Sequence, residues 1–489
     1  MLTHAARLQA ALGEITLKRL LPIVFVAICF PPTVGVAAEE SHALNPKDDG
    51  YRGIWFTLGQ YTDAPYGKGQ WKAYWDYGDK YSGGLGTYTG YHVPIAVYAP
   101  AAKKTFFCYG GSKAGTRYLY NMVAYYDHEN DRVPRPTIVH DKGGVDDPHD
   151  NPSLAIDERG HIWVYVAGRA RARPGFVYRS VAPYDIDRFE QISSDEICYP
   201  QPWPIAGKGI LELFTKYTGV RELYWNVRQL DGSRGDDRKL AGIEGHYQTS
   251  YRDGQRVITA FSRHPGGAPD RRTDLYYLET RDLGTTWQTA DGKIIDPPLV
   301  DPRNAALVKS YSDEGRLVYV NSITLDGEGN PVILVVTSSS HYPGPKGDPR
   351  AWEVLHHKDG QWHVHQVTHS THNYDTGPIW VERDGTWRVA GPTEIGPQRW
   401  GVGGEVAIWT STDEGKTWTK TRDVTRNSPR NHSYVREVIG AEPDSAFFML
   451  WADGHADKLS VSRLYFANRD GTKVRRLPYD MQTDYARPE

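Results

Sequence analysis

Five stretches of this 489-residue chain gather side chains that can move protons or hold anions. Asp146-Asp147-Pro148-His149-Asp150-Asn151 sets an imidazole among carboxylates, and Arg169, Arg171 and Arg173 follow it. Cys198-Tyr199-Pro200-Gln201 offers a phenol, with Lys216, Tyr217 and Arg221 next along the chain. Further on, His246-Tyr247 is followed by Arg263-His264. His372-Asn373-Tyr374-Asp375 comes next, and then Asn431-His432-Ser433-Tyr434 with Arg436. A neutral imidazole accepts a proton near pH 7. A phenol beside cations has a lowered pKa and works as acid or base. Removing a proton next to a sugar carboxylate also requires that the carboxylate charge be screened, which Lys216, Arg169 or Arg221 can do. The joint pattern suits an anionic sugar polymer.

Each residue also has a plain structural reading. His149 can cap a turn with Asp147, Tyr199 can be core, and Arg169, Arg171 and Arg173 can form a solvated face. His246, His372 and His432 can share a ring of structural hydrogen bonds. His363 and His365 alternate on a strand and read as exposed.

These residues recur at the starts of strand-like runs. Seven units repeat a run, an Asp/Gly turn and a second run, beginning near His92, Pro152, Pro202, His246, Leu317, Gly377 and Tyr434. Helical periodicity is nearly absent. Two segments, Thr280–Trp287 and Ser411–Trp418, share the pattern S/T-x-D-x-G-x-T-W, the Asp box. Its Asp folds back on backbone N–H groups, its Gly relaxes the turn and its Trp packs between sheets. The expected fold is all-β: a seven-bladed β-propeller in a single domain, closed by the two ends of the mature chain. A two-sheet sandwich is the alternative. In a propeller the first residues of the inner strands face a central funnel, which would collect the five stretches.

Composition agrees. Aromatic residues make up 12% of the chain, enough to drive a core and exclude disorder. Three cysteines exclude a disulfide scaffold. The formal charge of −3 argues against a nucleic-acid partner. Lys18-Arg19, the apolar run Leu20–Phe30 and Val36-Ala37-Ala38 read as an export signal over residues 1–38, leaving 39–489 as the propeller. The run is too short for a bilayer span, which needs ~20 residues. The expected location is secreted or periplasmic, with no membrane segment. Export would permit Cys108 and Cys198 to pair, and the sequence leaves their separation open.

The chain resembles the secreted BNR-repeat family of seven-bladed propellers that includes ulvan lyases and rhamnose–glucuronate lyases. Three stretches carry the likeness: Asp147-Pro-His149-Asp-Asn151, Cys198-Tyr199-Pro200-Gln201 and Leu213-Phe214-Thr215-Lys216-Tyr217. The resemblance implies a polysaccharide lyase that cleaves a uronic-acid-containing polymer by β-elimination. His149 matches the family's base and Tyr199 its catalytic tyrosine, with Lys216 and Arg221 as the cations. Asn151, Arg169, Tyr217, His246, His372, Tyr374, His432 and Arg436 are the expected substrate-binding set. Where the family has a second His, this chain has Arg169. No cofactor is required, and a Ca²⁺ or Zn²⁺ ion at Asp146–Asn151 would be structural.

Two rivals stand beside this reading. A sialidase-like or rhamnosidase-like glycoside hydrolase would use two of Asp147, Asp150 and Glu394. Against a sialidase, Tyr51-Arg52-Gly53-Ile54 lacks the Pro of that family's early motif. A non-catalytic sugar-binding propeller would explain the aromatics and arginines, but not a His–Tyr pair on adjacent units.

Overall fold

The computed structural model describes residues 43–57, Tyr77, 80–85, 90–170 and 172–489. The expected export signal, Arg171 and most of the 67–84 loop lie outside these residues. Seven antiparallel sheets form the blades of a seven-bladed β-propeller. Their first strands are Ala96–Ala99, Pro152–Ile156, Cys198–Ile205, Gln248–Asp253, Leu317–Leu325, Ile379–Val381 and Asn431–Glu437, which open blades 1 to 7. Six blades are four-stranded meanders; blade 4 carries extra short strands at its edge. No α-helix occurs among the described residues.

Burial explains the sequence pattern. Middle strands are covered on both sides by neighbouring blades, so Ile162–Val166 and Pro331–Ser338 are buried throughout and read as continuous apolar runs. Outermost strands such as Gln361–His369 are half exposed, and His363 lies there in solvent. The Asp/Gly turns are capped as the residue types dictate. Asp157 accepts from the Arg159 and His161 amides and from Trp163 Nε1.

Both Asp boxes join a third to a fourth strand and make the same network. Asp282 accepts from Thr280 Oγ1 (2.9 Å), the Thr286 amide (2.9 Å) and Thr286 Oγ1 (2.8 Å). Asp413 repeats these bonds with Ser411 and Thr417. Gly284, at φ +81°, lies against Trp225, where a Cβ would sit 2.7 Å from the ring.

Closure departs from expectation. Each blade is built from consecutive strands, so none is shared between the chain ends. The ends instead cover the seam between blades 7 and 1. Gly53 bridges Gly111 of blade 1 and Ser462 of blade 7, and Tyr485–Ala486 pairs with Val133–Pro134. Cys108 and Cys198 are buried free thiols, so no disulfide forms between them.

Antiparallel order fixes one functional face. There the first strand of each blade begins, and the second strand hands over to the third. The segment Gly90–Ile95 crosses the centre beneath it. Its backbone accepts from Arg436 Nη1 of blade 7 and Gln201 Nε2 of blade 3, and His92 Nε2 meets the His149 carbonyl of blade 2. This segment gives the funnel a floor.

Candidate active site

His149 sits in a short turn, Pro148–Asp150, ahead of blade 2, and its side chain is fully buried. Asp147 caps that turn through the His149 amide (3.0 Å) and also bonds His149 Nδ1. The structural reading of His149 as part of a capped turn therefore holds for its backbone amide, and its ring bonds the same carboxylate. Burial pushes the His149 pKa down to about 3, against the pull of Asp147. The neutral ring donates from Nδ1 and keeps its lone pair on Nε2. Burial alone would raise the Asp147 pKa. His149, Arg173 (2.7 Å) and Arg169 (3.0 Å) outweigh it and hold the carboxylate ionised.

Tyr199 lies with its ring centroid 6.0 Å from that of His149. It is placed by a β-bulge in the first strand of blade 3, where Cys198 pairs with Thr215 and Gln201 with Leu213. Its φ is +51°, an uncommon conformation for a bulky residue. Arg221 packs its guanidinium over Tyr217 (5.3 Å) and Tyr247 (5.8 Å), and both Arg221 and Arg169 are near enough to His149 to lower its proton affinity. His149, Tyr199, Arg221, Arg169 and Tyr217 thus converge on one place.

Other expected residues are committed elsewhere. Lys216 points to the opposite side of its strand, with Nζ 2.8 Å from Asp237 and 5.4 Å from the Tyr224 ring. Strand alternation is the reason: Thr215 and Tyr217 take the funnel side, so Lys216 cannot. Asn151 Nδ2 anchors the Leu85 carbonyl (2.9 Å). His246 spends its ring on the Arg221 carbonyl (3.2 Å) and Thr215 Oγ1 (3.2 Å). His432 spends its own on Ser428 Oγ (2.9 Å) and Trp451 Nε1 (2.9 Å). In His372, Nδ1 accepts the Tyr374 amide (3.2 Å). Arg436 holds the Gly90 carbonyl of the floor. These three histidines and Arg436 tie the blade starts to neighbouring strands, turns and the floor segment.

Two groups went unassigned in the sequence reading. Arg272 is 1% exposed and bonds Tyr91 Oη (3.0 Å), Tyr374 Oη (2.9 Å) and the Pro269 carbonyl (2.9 Å). Its guanidinium also lies 4.4 Å from the Tyr247 ring and 4.3 Å from that of Tyr319. No carboxylate pairs with it among the described residues. Beside it, His264 is fully buried, with neither ring nitrogen hydrogen-bonded among the described residues. Burial, then Arg272 and Arg221, hold its pKa well below the usual value. A signal for the cage existed: a Tyr stands at or just before the first strand in blades 3 to 7 (Tyr199, Tyr247, Tyr319, Tyr374 and Tyr434).

The carboxylates of the Asp146–Asn151 stretch are taken by cations. Asp146 meets Arg117 (3.3 Å), and Asp150 meets Lys142 (2.9 Å) and Arg173 (2.8 Å). Among the described residues no group of three or more His, Cys, Asp or Glu is arranged to hold a metal ion.

Seven blades, two of them carrying Asp boxes, around a buried His–Tyr–Arg cluster define a β-propeller of the BNR-repeat type. The model of the BNR repeat-containing family matches residues 87–370, more than half of the chain, and the chain belongs to that family. Its fold is shared with an ulvan lyase of polysaccharide lyase family PL25, at 16% identity over 78% of this chain and 92% of that one, TM-score 0.64. A PL25 ulvan lyase bound to -[GlcA(1-4)Rha3S]- matches at 15% identity over 88% and 95%, TM-score 0.64. The polysaccharide lyase Uly1 matches at 12% identity over 87% and 100%, TM-score 0.57. No curated protein matches the sequence.

Proposed function

We propose that this protein is an exported carbohydrate-active enzyme, a polysaccharide lyase that cleaves a uronic-acid-containing polymer by β-elimination. The observation that carries the reading is the pairing of His149, oriented by Asp147, with Tyr199 on the next blade, beside Arg221 and Arg169. His149 Nε2 takes the C5 proton of the uronate. Tyr199 Oη gives its proton to O4 as the C4–O4 bond breaks, and a C4=C5 double bond forms. Arg221 and Arg169 screen the carboxylate, whose negative charge also offsets their effect on His149 and raises its proton affinity as substrate binds. His264 and the caged Arg272 add donor capacity and positive potential in a water-poor site. The ulvan lyase seen with a glucuronate–rhamnose sulfate oligosaccharide supports this substrate class.

A hydrolase needs two carboxylates facing the scissile bond. Here Asp147 and Asp150 are bound by arginine or lysine, and Glu394 pairs with Lys420 (3.1 Å) on blade 6. The test is incubation with uronate polysaccharides. New ultraviolet absorbance from an unsaturated uronate supports the lyase, and reducing ends without it support a hydrolase. Retention without either supports a binding protein. His149→Ala and Tyr199→Phe should each cut elimination by about 10²–10⁴-fold. Full activity in either variant would remove that residue from the mechanism.

A further inference from the structure

We propose a second binding site on the functional face, in the cavity between blades 1 and 7, for an anionic sugar unit remote from the one being cleaved. It rests on the reading of the funnel as a site for an anionic polysaccharide, and it assigns that polymer a second point of attachment. The cavity has a volume of about 670 Å³. Its walls are the loop from the second to the third strand of blade 1, the equivalent loop of blade 7, and Arg52–Trp55 with Tyr479. Both loops open on the face that holds His149. Asp146 also lines the cavity, and the residue after it holds the His149 ring. Three residue steps separate Asp146 from His149, at most about 11 Å. One oligosaccharide can therefore occupy both places.

The lining is chemically mixed in the way an acidic pyranose requires. Lys113 is exposed and has no ion-pair partner among the described residues. Arg117 meets Asp146 through one long contact at 3.3 Å, which neutralises the one carboxylate in the wall and leaves other guanidinium donors for a ligand. Arg52 is buried on Asp48, Asp49 and Asp480, and its Nε lacks a hydrogen-bond partner among the described residues. Tyr118, Leu459 and Val461 expose 50%, 45% and 39% of their surface along the rim. Large apolar side chains exposed together around a concave, cationic pocket are surplus to packing and mark a ligand surface. A neutral sugar would not call for Lys113 and Arg117, and an apolar ligand would call for neither. A sugar ring on Tyr118 with its carboxylate or sulfate on Lys113 and Arg117 uses all of them.

The test is the Lys113→Ala/Tyr118→Ala double variant, chosen because both side chains are exposed, with Arg117→Gln as a second variant. Probes are a polymer of -[GlcA(1-4)Rha3S]- repeats, polygalacturonate, neutral arabinan, and a tetrasaccharide of whichever acidic polymer binds. Retention in affinity electrophoresis and turnover against chain length are read side by side. Expected is about tenfold weaker retention of a long acidic polymer, most marked at low salt, with tetrasaccharide turnover unchanged. Equal retention of both proteins, equal loss on polymer and tetrasaccharide, or no acidic polymer retained by the wild-type protein would each overturn the site. Weaker retention by the variant with no unsaturated product from either protein would refute the lyase reading and leave this site standing.

Discussion

Replacing Asp147 by Asn should abolish the proposed elimination by changing which nitrogen of His149 carries the proton. The carboxylate serves two clients. On one side it accepts from the His149 amide and Nδ1; on the other it accepts from Arg169 and Arg173 at 3.0 and 2.7 Å. An amide has a single oxygen to offer. Charge-assisted bonds are about twice as strong as neutral ones, so that oxygen turns to the two guanidiniums. The NH₂ group then faces His149 Nδ1, which must become the acceptor, and the ring proton moves to Nε2. A ring protonated at Nε2 cannot take the C5 proton. The general-base contribution of about 10²–10⁴ in kcat is lost, or about 3–5 kcal/mol of barrier, with KM little changed. Stability should fall only by about 1–3 kcal/mol, because Arg173 keeps Asp150 at 2.8 Å. The assay is initial rate by ultraviolet absorbance across pH, beside a melting curve and the ¹⁵N shifts of the imidazole. An Asp147→Asn enzyme within threefold of wild type, with the Nδ1–H tautomer retained, would refute the reasoning.

Further substitutions separate the site from its scaffold. Lys216→Ala should leave kcat/KM within about twofold, since its ammonium is spent on Asp237, whereas Arg221→Ala should lower it by about 10²–10³. Equal effects in steady-state kinetics would contradict the placement. His246 has its pKa pushed down to about 3 by burial, against about 6.5 when unfolded. The stability it contributes is therefore complete above pH 6.5 and drains as pH falls toward 3, at about 1.4 kcal/mol per pH unit. Urea unfolding of His246→Asn from about pH 5.5 to 3.5 should show a slope smaller by that amount. Asp282→Ala deletes three hydrogen bonds at an outer turn and should cost about 1–3 kcal/mol in denaturant melts while leaving kcat unchanged.

Blade number and blade boundaries were legible because each blade writes the same local physics, an apolar run, a tight polar turn and a second run, with the turn capped by an Asp in blades 2, 5 and 6. That His149 and Tyr199 come together was legible for a related reason. His149 and Tyr199 stand at strand starts, and strand starts face the funnel. What strand position does not encode is which side chains a blade start consumes for itself. His246, His372 and His432 look like His149 in sequence, yet their rings are spent on backbone and side-chain groups of the scaffold, and only His149 is oriented by the carboxylate two residues back; Glu244, two residues before His246, turns to Arg263 instead. Lys216 differs from Tyr217 by one step of alternation, enough to turn it to the other face. Arg272 was illegible because its partners are hydroxyls and ring faces from other blades and from the floor segment, between 102 and 181 residues away for its two hydroxyl bonds.

The tyrosine content follows from the same electrostatics. The chain has 32 tyrosines against 12 phenylalanines. A buried guanidinium needs compensation, and a carboxylate is the usual means. For the polyanionic substrate proposed above, a carboxylate beside Arg272 would cancel the potential that draws the polymer and would repel its acid group. Phenols avoid both costs. Tyr91 and Tyr374 satisfy the N–H donors with neutral oxygens, and Tyr247 and Tyr319 present the negative faces of their rings. The positive charge is thereby stabilised but not neutralised. Of the carboxylates near the site, Asp147 and Asp150 stand behind Arg169, Arg173 and Lys142, while Asp375 is held by Ser370 Oγ and by the His372 and Gly403 amides. A net charge of −3 thus coexists with a buried guanidinium, Arg272, that no carboxylate pairs among the described residues. Replacing the tyrosines with phenylalanine would keep the packing and the ring faces but strip the oxygens that hold Arg272 in place, so the hydroxyls, more than the aromatic bulk, are what this composition provides.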